Sequence, residues 1–182
     1  DRVRVREAVL ALGQGDQSLV VLMKRSYFLF GQILDIDESA ARPFERRHQL
    51  VALLALEHGW VTRARIAALL WPDQPSKLAY TNLRKTLFRL QAFAWARAIE
   101  TQGSALRFAS DTDVLAFESA LRENRVADAL ALRRGELLAG FDDDRSEAWT
   151  SWLAFERDRL RNAWRGAVLD RLAGDIDAGE GV

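Results

Sequence analysis

Residues 62–90 have the sequence TRARIAALLWPDQPSKLAYTNLRKTLFRL, which contains the signals of two consecutive helices joined by a short turn. Thr62 is a residue type that caps helix N-termini, so it predicts a helix, which Pro72 then ends. After a short turn at residues 73–76, apolar residues at helical spacing predict a further helix that runs to about Ala94. The inner faces are Ile66, Leu69 and Leu70 in one helix, and Ala79, Leu83, Leu87 and Leu90 in the other.

The sequence on either side of this pair extends the pattern. Apolar residues at helical spacing predict a first helix between Pro43 and Gly59, so the two helices above are the second and the third. Residues 98–100 and 105–108 are short apolar stretches around the turn-forming segment 102–104, and they predict a hairpin. Three helices followed by a hairpin are the layout of a winged helix-turn-helix domain.

Ahead of the first helix, residues 19–36 are rich in β-branched and aromatic side chains and predict two short strands. We therefore assign residues 1–110 to a winged-helix DNA-binding domain with N-terminal strands. The chain begins at Asp1 rather than at Met and ends in the glycine-rich stretch 174–182. On this basis we expect it to be a piece of a longer protein.

Beyond residue 110 the pattern predicts only helices. Their predicted bounds are Asp111 or Thr112 to Leu121, Val126 to Gly135, and Ser146 to Arg171, with Gly174 as the residue that follows the last helix. Short paired helices with alanine at small-residue positions are typical of tetratricopeptide-type repeats. The predicted fold class is therefore α+β: a winged helix-turn-helix followed by an all-α, tetratricopeptide-like module at 111–182, which we expect to be truncated.

The composition excludes several classes of protein. Apolar residues make up 49% of the 182, which is enough for a hydrophobic core. Cysteine is absent, which excludes disulfides and thiolate metal sites, and His48 and His58 are the two histidines, for which we expect structural roles. No apolar run reaches the roughly 18 residues of a membrane-spanning helix, and no signal peptide is visible. We expect a cytoplasmic protein with no membrane partner.

No motif predicts catalysis. The sequence contains no phosphate-binding loop, no dinucleotide fingerprint and no nucleophile elbow. The acidic run 142–144 lacks the glycine spacing of a calcium loop and predicts an exposed acidic loop. Trp149, Trp152 and Trp164 at helical spacing predict core positions or packing between helices rather than a cofactor site. We therefore expect no enzyme activity, no catalytic residues, no cofactor and no metal.

The zero net charge conceals a marked asymmetry along the chain. Residues 41–110 carry 11 Lys and Arg against four Asp and Glu, a net charge of +7. Residues 111–182 carry 10 against 16, a net charge of −6. A basic middle beside an acidic C-terminal part indicates two modules with different partners, and the basic one could meet nucleic acid. Mutual attraction of the two parts is the simpler alternative.

The third helix carries the most specific functional pattern. The residues opposite its inner face are Lys77, Thr81, Arg84, Lys85 and Phe88, with Arg89 on one flank and Tyr80 and Gln91 on the other. No acid occurs between Asp73 and Glu100. In a major groove, Arg84 or Lys85 could contact guanine O6 and N7, and Thr81 a thymine methyl or a phosphate.

Other residues of the third helix have further possible roles. Lys77 and Arg89 would hold phosphates. Phe88 is predicted to be exposed, where it could touch DNA or pack against the hairpin or the C-terminal module. The alternative for the whole face is an ordinary solvated helix surface with Lys and Arg.

Two further segments supply candidate DNA contacts. Thr62, Arg63 and Arg65 open the second helix, and free backbone N–H groups at a helix N-terminus bind phosphate. The alternative is a solvated first turn. Gln102, Ser104 and Arg107 belong to the predicted hairpin, which could reach a minor groove or the DNA backbone as a wing; equally, the hairpin could serve only to close a small sheet.

Together these segments resemble the bacterial transcriptional activators of the SARP type, which join an OmpR-like winged helix to a helical bacterial transcriptional activator domain (BTAD). The stretches that carry the resemblance are residues 50–56, 61–73, 82–90, 111–117, 135–141 and 152–161. The most specific are GELLAGF at 135–141 and WLAFERDRLR at 152–161. Their order and spacing across residues 45–175 carry the likeness, rather than any single stretch.

The resemblance implies sequence-specific binding to double-stranded DNA and recruitment of RNA polymerase, often by a pair of protomers on direct repeats. We therefore predict a transcriptional regulator, an activator, whose third helix enters the major groove. Its helical module would contact protomers or RNA polymerase. The alternative is a protein-interaction module whose winged helix no longer binds DNA.

Overall fold

The computed structural model describes residues 30, 45–133, 135–143 and 146–179, with the backbone alone at 94, 95, 175 and 177–179. The fold of these residues is α+β, with helices around a small antiparallel sheet. The elements are α1 (Arg46–Leu56), β1 (Val61–Thr62), α2 (Arg63–Leu70), α3 (Ser76–Leu90), a 3₁₀ helix (Ala94–Ala98), β2 (Ile99–Gln102), β3 (Ala105–Phe108), α4 (Asp113–Arg122), α5 (Val126–Leu132) and α6 (Glu147–Gly179). The strands predicted within 19–36 lie outside the described residues, apart from Phe30.

Helix α1 lies at the centre of the fold. Every residue from His48 to Leu56 is buried, which is the pattern of a helix enclosed on all sides. The prediction that this helix ends at Gly59 is wrong, because it ends at Leu56. His58 takes up the left-handed conformation there, with a φ of 51°, and so turns the chain toward β1.

The sheet has the strand order β1-β3-β2, and both pairings are antiparallel. The predicted hairpin is confirmed: Gln102 pairs with Ala105 across a two-residue turn whose Gly103 has a φ of 56°. Glycine adopts this conformation without steric cost. Strand β1, which the sequence analysis missed, pairs Val61 with Leu106 and joins the segment before α2 to the hairpin.

Both helices predicted within residues 62–90 are present, and only the end of the second one differs from the prediction. The Thr62 hydroxyl caps α2 by accepting a hydrogen bond from the Arg65 backbone N–H at 3.3 Å, and α2 ends just before Pro72. Helix α3, however, ends at Leu90 rather than at the predicted Ala94. Phe93 then packs against the core, with the Arg47 guanidinium 5.1 Å from its ring centre. The early end of α3 thus accompanies a tertiary contact that sequence periodicity does not include.

Three helices follow, and two of their predicted ends are wrong. The Thr112 hydroxyl caps α4 through the Leu115 backbone N–H at 3.0 Å, as the sequence predicts. Helix α5 stops at Leu132, before Gly135, and α6 continues through Gly174 to Gly179. A Cβ at Gly174 would meet nothing within 4 Å, and its φ is not left-handed. Gly174 therefore does not form a C-terminal cap, and the helix tolerates it.

One continuous set of buried side chains links the segments on both sides of residue 110. Phe30 contributes from the N-terminal segment: its ring lies edge-on to Phe117 at 5.0 Å, and its N–H donates to Asp113 at 2.9 Å. Trp149 is fully buried, and its ring centre lies 4.9 Å from that of Trp152. Trp152 belongs to the same core and Trp164 packs against it, so the three tryptophans are core residues, one of the two roles expected of them.

The prediction of an exposed acidic loop at 142–144 is wrong for Asp143, whose exposed fraction is 1%. Its Oδ2 accepts hydrogen bonds from Arg46 Nη1 and from the Gln49 side-chain amide, each at 3.2 Å. These partners belong to α1, which lies far away in sequence. They supply the charge and the hydrogen bonds that a buried carboxylate requires.

None of the helices in the described ranges combines the length and the apolar character needed to cross a bilayer.

Candidate nucleic-acid interface

Helix α3 separates an apolar face from a cationic one. Ala79, Leu83 and Leu90 are buried, whereas the opposite face points to solvent. The exposed side chains there are Lys77, Tyr80, Arg84, Lys85, Phe88 and Arg89. Thr81, on the same face, is half-buried, and its hydroxyl donates to the Lys77 carbonyl at 2.9 Å. That hydroxyl proton is therefore already used within the helix.

The cations on this face have no ionic partners among the residues that the structure describes. Within the described ranges, no carboxylate lies at ion-pair distance from Lys77, Arg84, Lys85 or Arg89. By contrast, Arg157 pairs with Asp142 and Arg125 with Asp128, each at 2.7 Å. The described residues therefore leave the positive charges of the α3 face without local neutralisation, as a surface that binds a polyanion requires.

A depression of about 330 Å³ extends this face toward the sheet. It is lined by Arg63 from the first turn of α2, by Arg84 and Phe88 from α3, and by Thr101 from β2. The structure therefore places Arg63 beside the exposed face of α3. Arg63, too, has no carboxylate partner among the described residues.

A second depression, of about 530 Å³, adjoins the opposite edge of α3 and reaches the start of α1. Lys85 and Arg89 line it together with Arg46 and Arg47. These two α1 arginines are not among the sequence-predicted contacts, although an Arg-Arg pair at the first turn of a helix is a visible signal. Arg47 pairs with Glu45, and Arg46 with Asp143, so both guanidinium groups also have structural partners.

The N-terminus of α2 offers less to a phosphate than its sequence suggests. The Arg63 backbone N–H donates to the Ser104 carbonyl at 2.8 Å, and that of Arg65 to the Thr62 hydroxyl. The Arg65 guanidinium pairs with Glu57. The backbone N–H groups of Arg63 and Arg65 and the Arg65 guanidinium were all predicted to bind DNA, but each has a partner within the protein. The Thr62 hydroxyl serves as the helix cap.

The hairpin shows the same division between engaged and available groups. The Arg107 guanidinium lies 2.7 Å from the Glu100 carboxylate and 4.7 Å from the centre of the Trp60 ring. Gln102 and Ser104, at the turn, are exposed. The hairpin therefore presents polar groups at its tip, while its one arginine braces the strands.

The structure thus sorts the sequence-predicted residues into two groups. One face brings together the exposed α3 residues, Thr81 and Arg63. Arg65 and Arg107 are instead held by neighbouring acids. Sequence could not separate these groups, because Glu57 and Glu100 become partners only through the turn after α1 and the β2–β3 pairing.

On the other side of the molecule, an ionic network joins the end of α1 to the C-terminal helices. His58 Nε2 lies 3.0 Å from a Glu118 carboxylate oxygen, and Arg159 donates to the other oxygen of that carboxylate. Burial alone would raise the pKa of Glu118, but the hydrogen bonds from His58 and Arg159 outweigh burial and lower the pKa. The histidine therefore has the structural role expected of it.

Helix α6 carries exposed apolar side chains. Leu169, Leu172 and Ile176 are each more than half exposed and share one face at spacings of three and four residues. Phe155, nearer the start of the helix, has an exposed fraction of 64%.

No group of three or more His, Cys, Asp or Glu side chains that could hold a metal ion occurs in the described part of the chain. No protein-family model matches the sequence, and no curated protein matches it.

Proposed function

We propose that this chain is a sequence-specific DNA-binding transcriptional regulator, an activator, with a winged helix-turn-helix followed by a tetratricopeptide-like helical module. Helix α3 is its recognition helix and enters the major groove of double-stranded DNA. The observation that carries the proposal is the acid-free face of α3, whose exposed cations have no ionic partners among the described residues.

The order of elements supports the same function. Helices α1, α2 and α3, the short strand β1 and the β2–β3 hairpin follow one another as in a winged helix. In that arrangement the exposed face of α3 is the one that reads the groove. The tip residues Gln102 and Ser104 would then approach the backbone or the minor groove as a wing.

Within this proposal, the cations divide by role. Arg84 and Lys85 are near the middle of α3 and would reach base edges, where a bidentate contact to guanine gives discrimination. Lys77, Arg89 and Arg63 are nearer the margins of the face and would hold phosphates. Arg65 and Arg107 contribute less, since Glu57 and Glu100 neutralise them.

The acidic helical module would contact a second protomer on a direct repeat or RNA polymerase. Its support is the exposed apolar face of α6 at Leu169, Leu172 and Ile176. The resemblance to SARP-type activators gives the same assignment. A cytoplasmic location and the absence of enzyme activity belong to this proposal.

The same face of α6 favours a second candidate, a protein-interaction module that does not bind DNA. Dependence of binding on salt separates the two. Phosphate contacts release counterions, so the logarithm of the DNA affinity falls by about 0.9 per contact for each tenfold rise in salt. An apolar contact with a protein lacks this dependence.

The test is a binding selection. The purified chain is mixed with random-sequence duplexes at about physiological salt, and the retained DNA is sequenced. A recurrent motif supports the proposal, and a direct repeat at one helical-turn spacing supports paired protomers. Absence of retention even at low salt contradicts DNA binding and favours the interaction module.

A further inference from the structure

Phe88 has an exposed fraction of 74%, the highest among the large apolar side chains of the described residues. It lies two residues before the end of α3, on the face opposite Leu83 and Leu90, which are buried. A phenyl ring in water gains none of the free energy that burial would provide. Packing among the described residues therefore does not explain its presence.

The surroundings of Phe88 are cationic. Arg84 lies one turn earlier on the same face, Arg89 is the next residue, and Arg63 lines the depression that Phe88 borders. Elsewhere in the structure arginines do cover aromatic rings, as Arg107 covers Trp60 at 4.7 Å. Within the described ranges no arginine lies over the Phe88 ring in this way. Both the ring and the neighbouring cations can therefore contact a partner.

An apolar ring among cations that have no ion-pair partner in the described ranges fits a partner that is polyanionic and also presents an apolar group. The major groove of DNA meets both conditions, because it exposes the apolar C5-methyl of thymine, and phenylalanine is among the side chains that contact this methyl group. A simple phosphate contact would make no use of the ring.

We propose that Phe88 is a specificity-determining residue that packs against the C5-methyl of a thymine in the major groove. This inference rests on the proposed DNA-binding function. The Phe88 ring would recognise one base of the target through an apolar contact, whereas Arg84 and Lys85 would recognise bases through hydrogen bonds from their cationic groups. Those contacts favour guanine, so the target would combine guanine with at least one thymine.

The experiment compares the duplex recovered by selection with the same duplex in which deoxyuridine replaces every thymidine. This exchange removes the methyl groups and keeps the Watson–Crick pairing. Affinities are measured for the wild-type chain, for Phe88→Ala and for Phe155→Ala. Phe155, which lies on α6 and is 64% exposed, makes the last variant a matched control.

The wild-type chain should bind the deoxyuridine duplex about fourfold more weakly for each methyl group that it buries. Phe88→Ala should bind the thymidine duplex correspondingly more weakly and should discriminate less between the two duplexes. Phe155→Ala should behave as the wild-type chain does. Because the ring is exposed, the thermal unfolding midpoint of Phe88→Ala should match that of the wild type.

Two results would overturn the inference while leaving the proposed function intact. One is a wild-type chain that binds both duplexes equally. The other is a Phe88→Ala variant that keeps the full discrimination between them, which would assign the methyl contact to another residue. If the chain retains no DNA in the selection, the result contradicts both the proposed function and this inference.

Discussion

The Asp143 carboxylate, 1% exposed, accepts a hydrogen bond from Arg46 Nη1 at 3.2 Å and so ties the first turn of α1 to the connection before α6. The Gln49 amide donates to the same oxygen, also at 3.2 Å. The N-terminal helix of the cationic segment is thereby fastened to the acidic helical part by a buried polar contact. Its loss should be costly, since both α1 partners would lose their shared acceptor.

We expect Asp143→Ala to lower the free energy of unfolding by about 2 kcal/mol, because the buried Gln49 amide would be left without this acceptor. Urea unfolding measures the change. Asp142→Ala is the matched control: this neighbouring aspartate is 53% exposed and pairs with Arg157. Because the Asp142 carboxylate itself is exposed, its removal should cost less, about 1 kcal/mol. An equal decrease in the free energy of unfolding for the two substitutions would contradict the larger contribution expected of the buried contact.

The second prediction concerns the response of stability to acid. Since the hydrogen bonds from His58 and Arg159 lower the pKa of Glu118 below its ordinary value of 4.5, the folded state favours the ionised carboxylate. The resulting stabilisation is present above the unfolded-state pKa and is lost as the pH falls through the lower folded-state pKa. Urea unfolding between about pH 3 and pH 6 should therefore show stability falling toward low pH.

Glu118→Gln should reduce this loss of stability at low pH, because its amide does not titrate. The variant should also be less stable than the wild type above pH 5, because it lacks the carboxylate that contacts His58 and Arg159. A variant with the same pH dependence as the wild type would show that Glu118 does not contribute to acid sensitivity.

Much of the fold could be predicted because it depends on local chemistry. Thr62 and Thr112 cap helices as their residue type suggests, and Gly103 takes the left-handed turn position of the hairpin. The two faces of α3 follow directly from helical spacing. Each of these features is set by residues within a few positions along the chain.

The features that were predicted wrongly depend on distant partners. The burial of Asp143 needs Arg46 and Gln49, and the early end of α3 accompanies the packing of Phe93 beneath Arg47. Strand β1 contains two residues and has no periodicity of its own; it forms because Val61 meets Leu106. Sequence patterns within one segment carry no information on such long-range contacts.

The third prediction concerns base preference. Arg84→Ala should weaken binding to the selected duplex about tenfold and relax the preference at one position of the motif, since a bidentate guanine contact gives discrimination of that order. Repeating the selection with the variant measures both effects. Arg107→Ala should have a smaller effect, because Glu100 and Trp60 already engage that guanidinium. An unchanged motif with Arg84→Ala would refute its role at a base edge.

The fourth prediction separates a phosphate contact from a base contact. Lys77→Ala should weaken binding to all sequences by about the same factor, because phosphates carry no sequence information. The slope of log affinity against log salt should become shallower by about 0.9, the value of one phosphate contact. Fluorescence anisotropy over a range of salt concentrations gives this slope. A loss confined to one sequence would assign Lys77 to a base instead.

The DNA-binding role of the α3 face can be tested with a single comparison of two variants of equal charge. In one, Lys77, Arg84, Lys85 and Arg89 are changed to Gln. In the other, Arg122, Arg125, Arg161 and Arg165 of the helical module are changed to Gln. Both lose four positive charges, so any general effect of net charge is the same, and thermal unfolding checks that both fold. The quantity measured is the affinity for the selected duplex as a function of salt.

If α3 binds DNA, the first variant should lose at least about a hundredfold in affinity at physiological salt, and its salt slope should fall by about 1.8, the value of the two phosphate contacts assigned to Lys77 and Arg89. The second variant should bind nearly as the wild type does. Equal losses in both variants, or no loss in the first, would contradict the assignment of the α3 face as the DNA-binding surface.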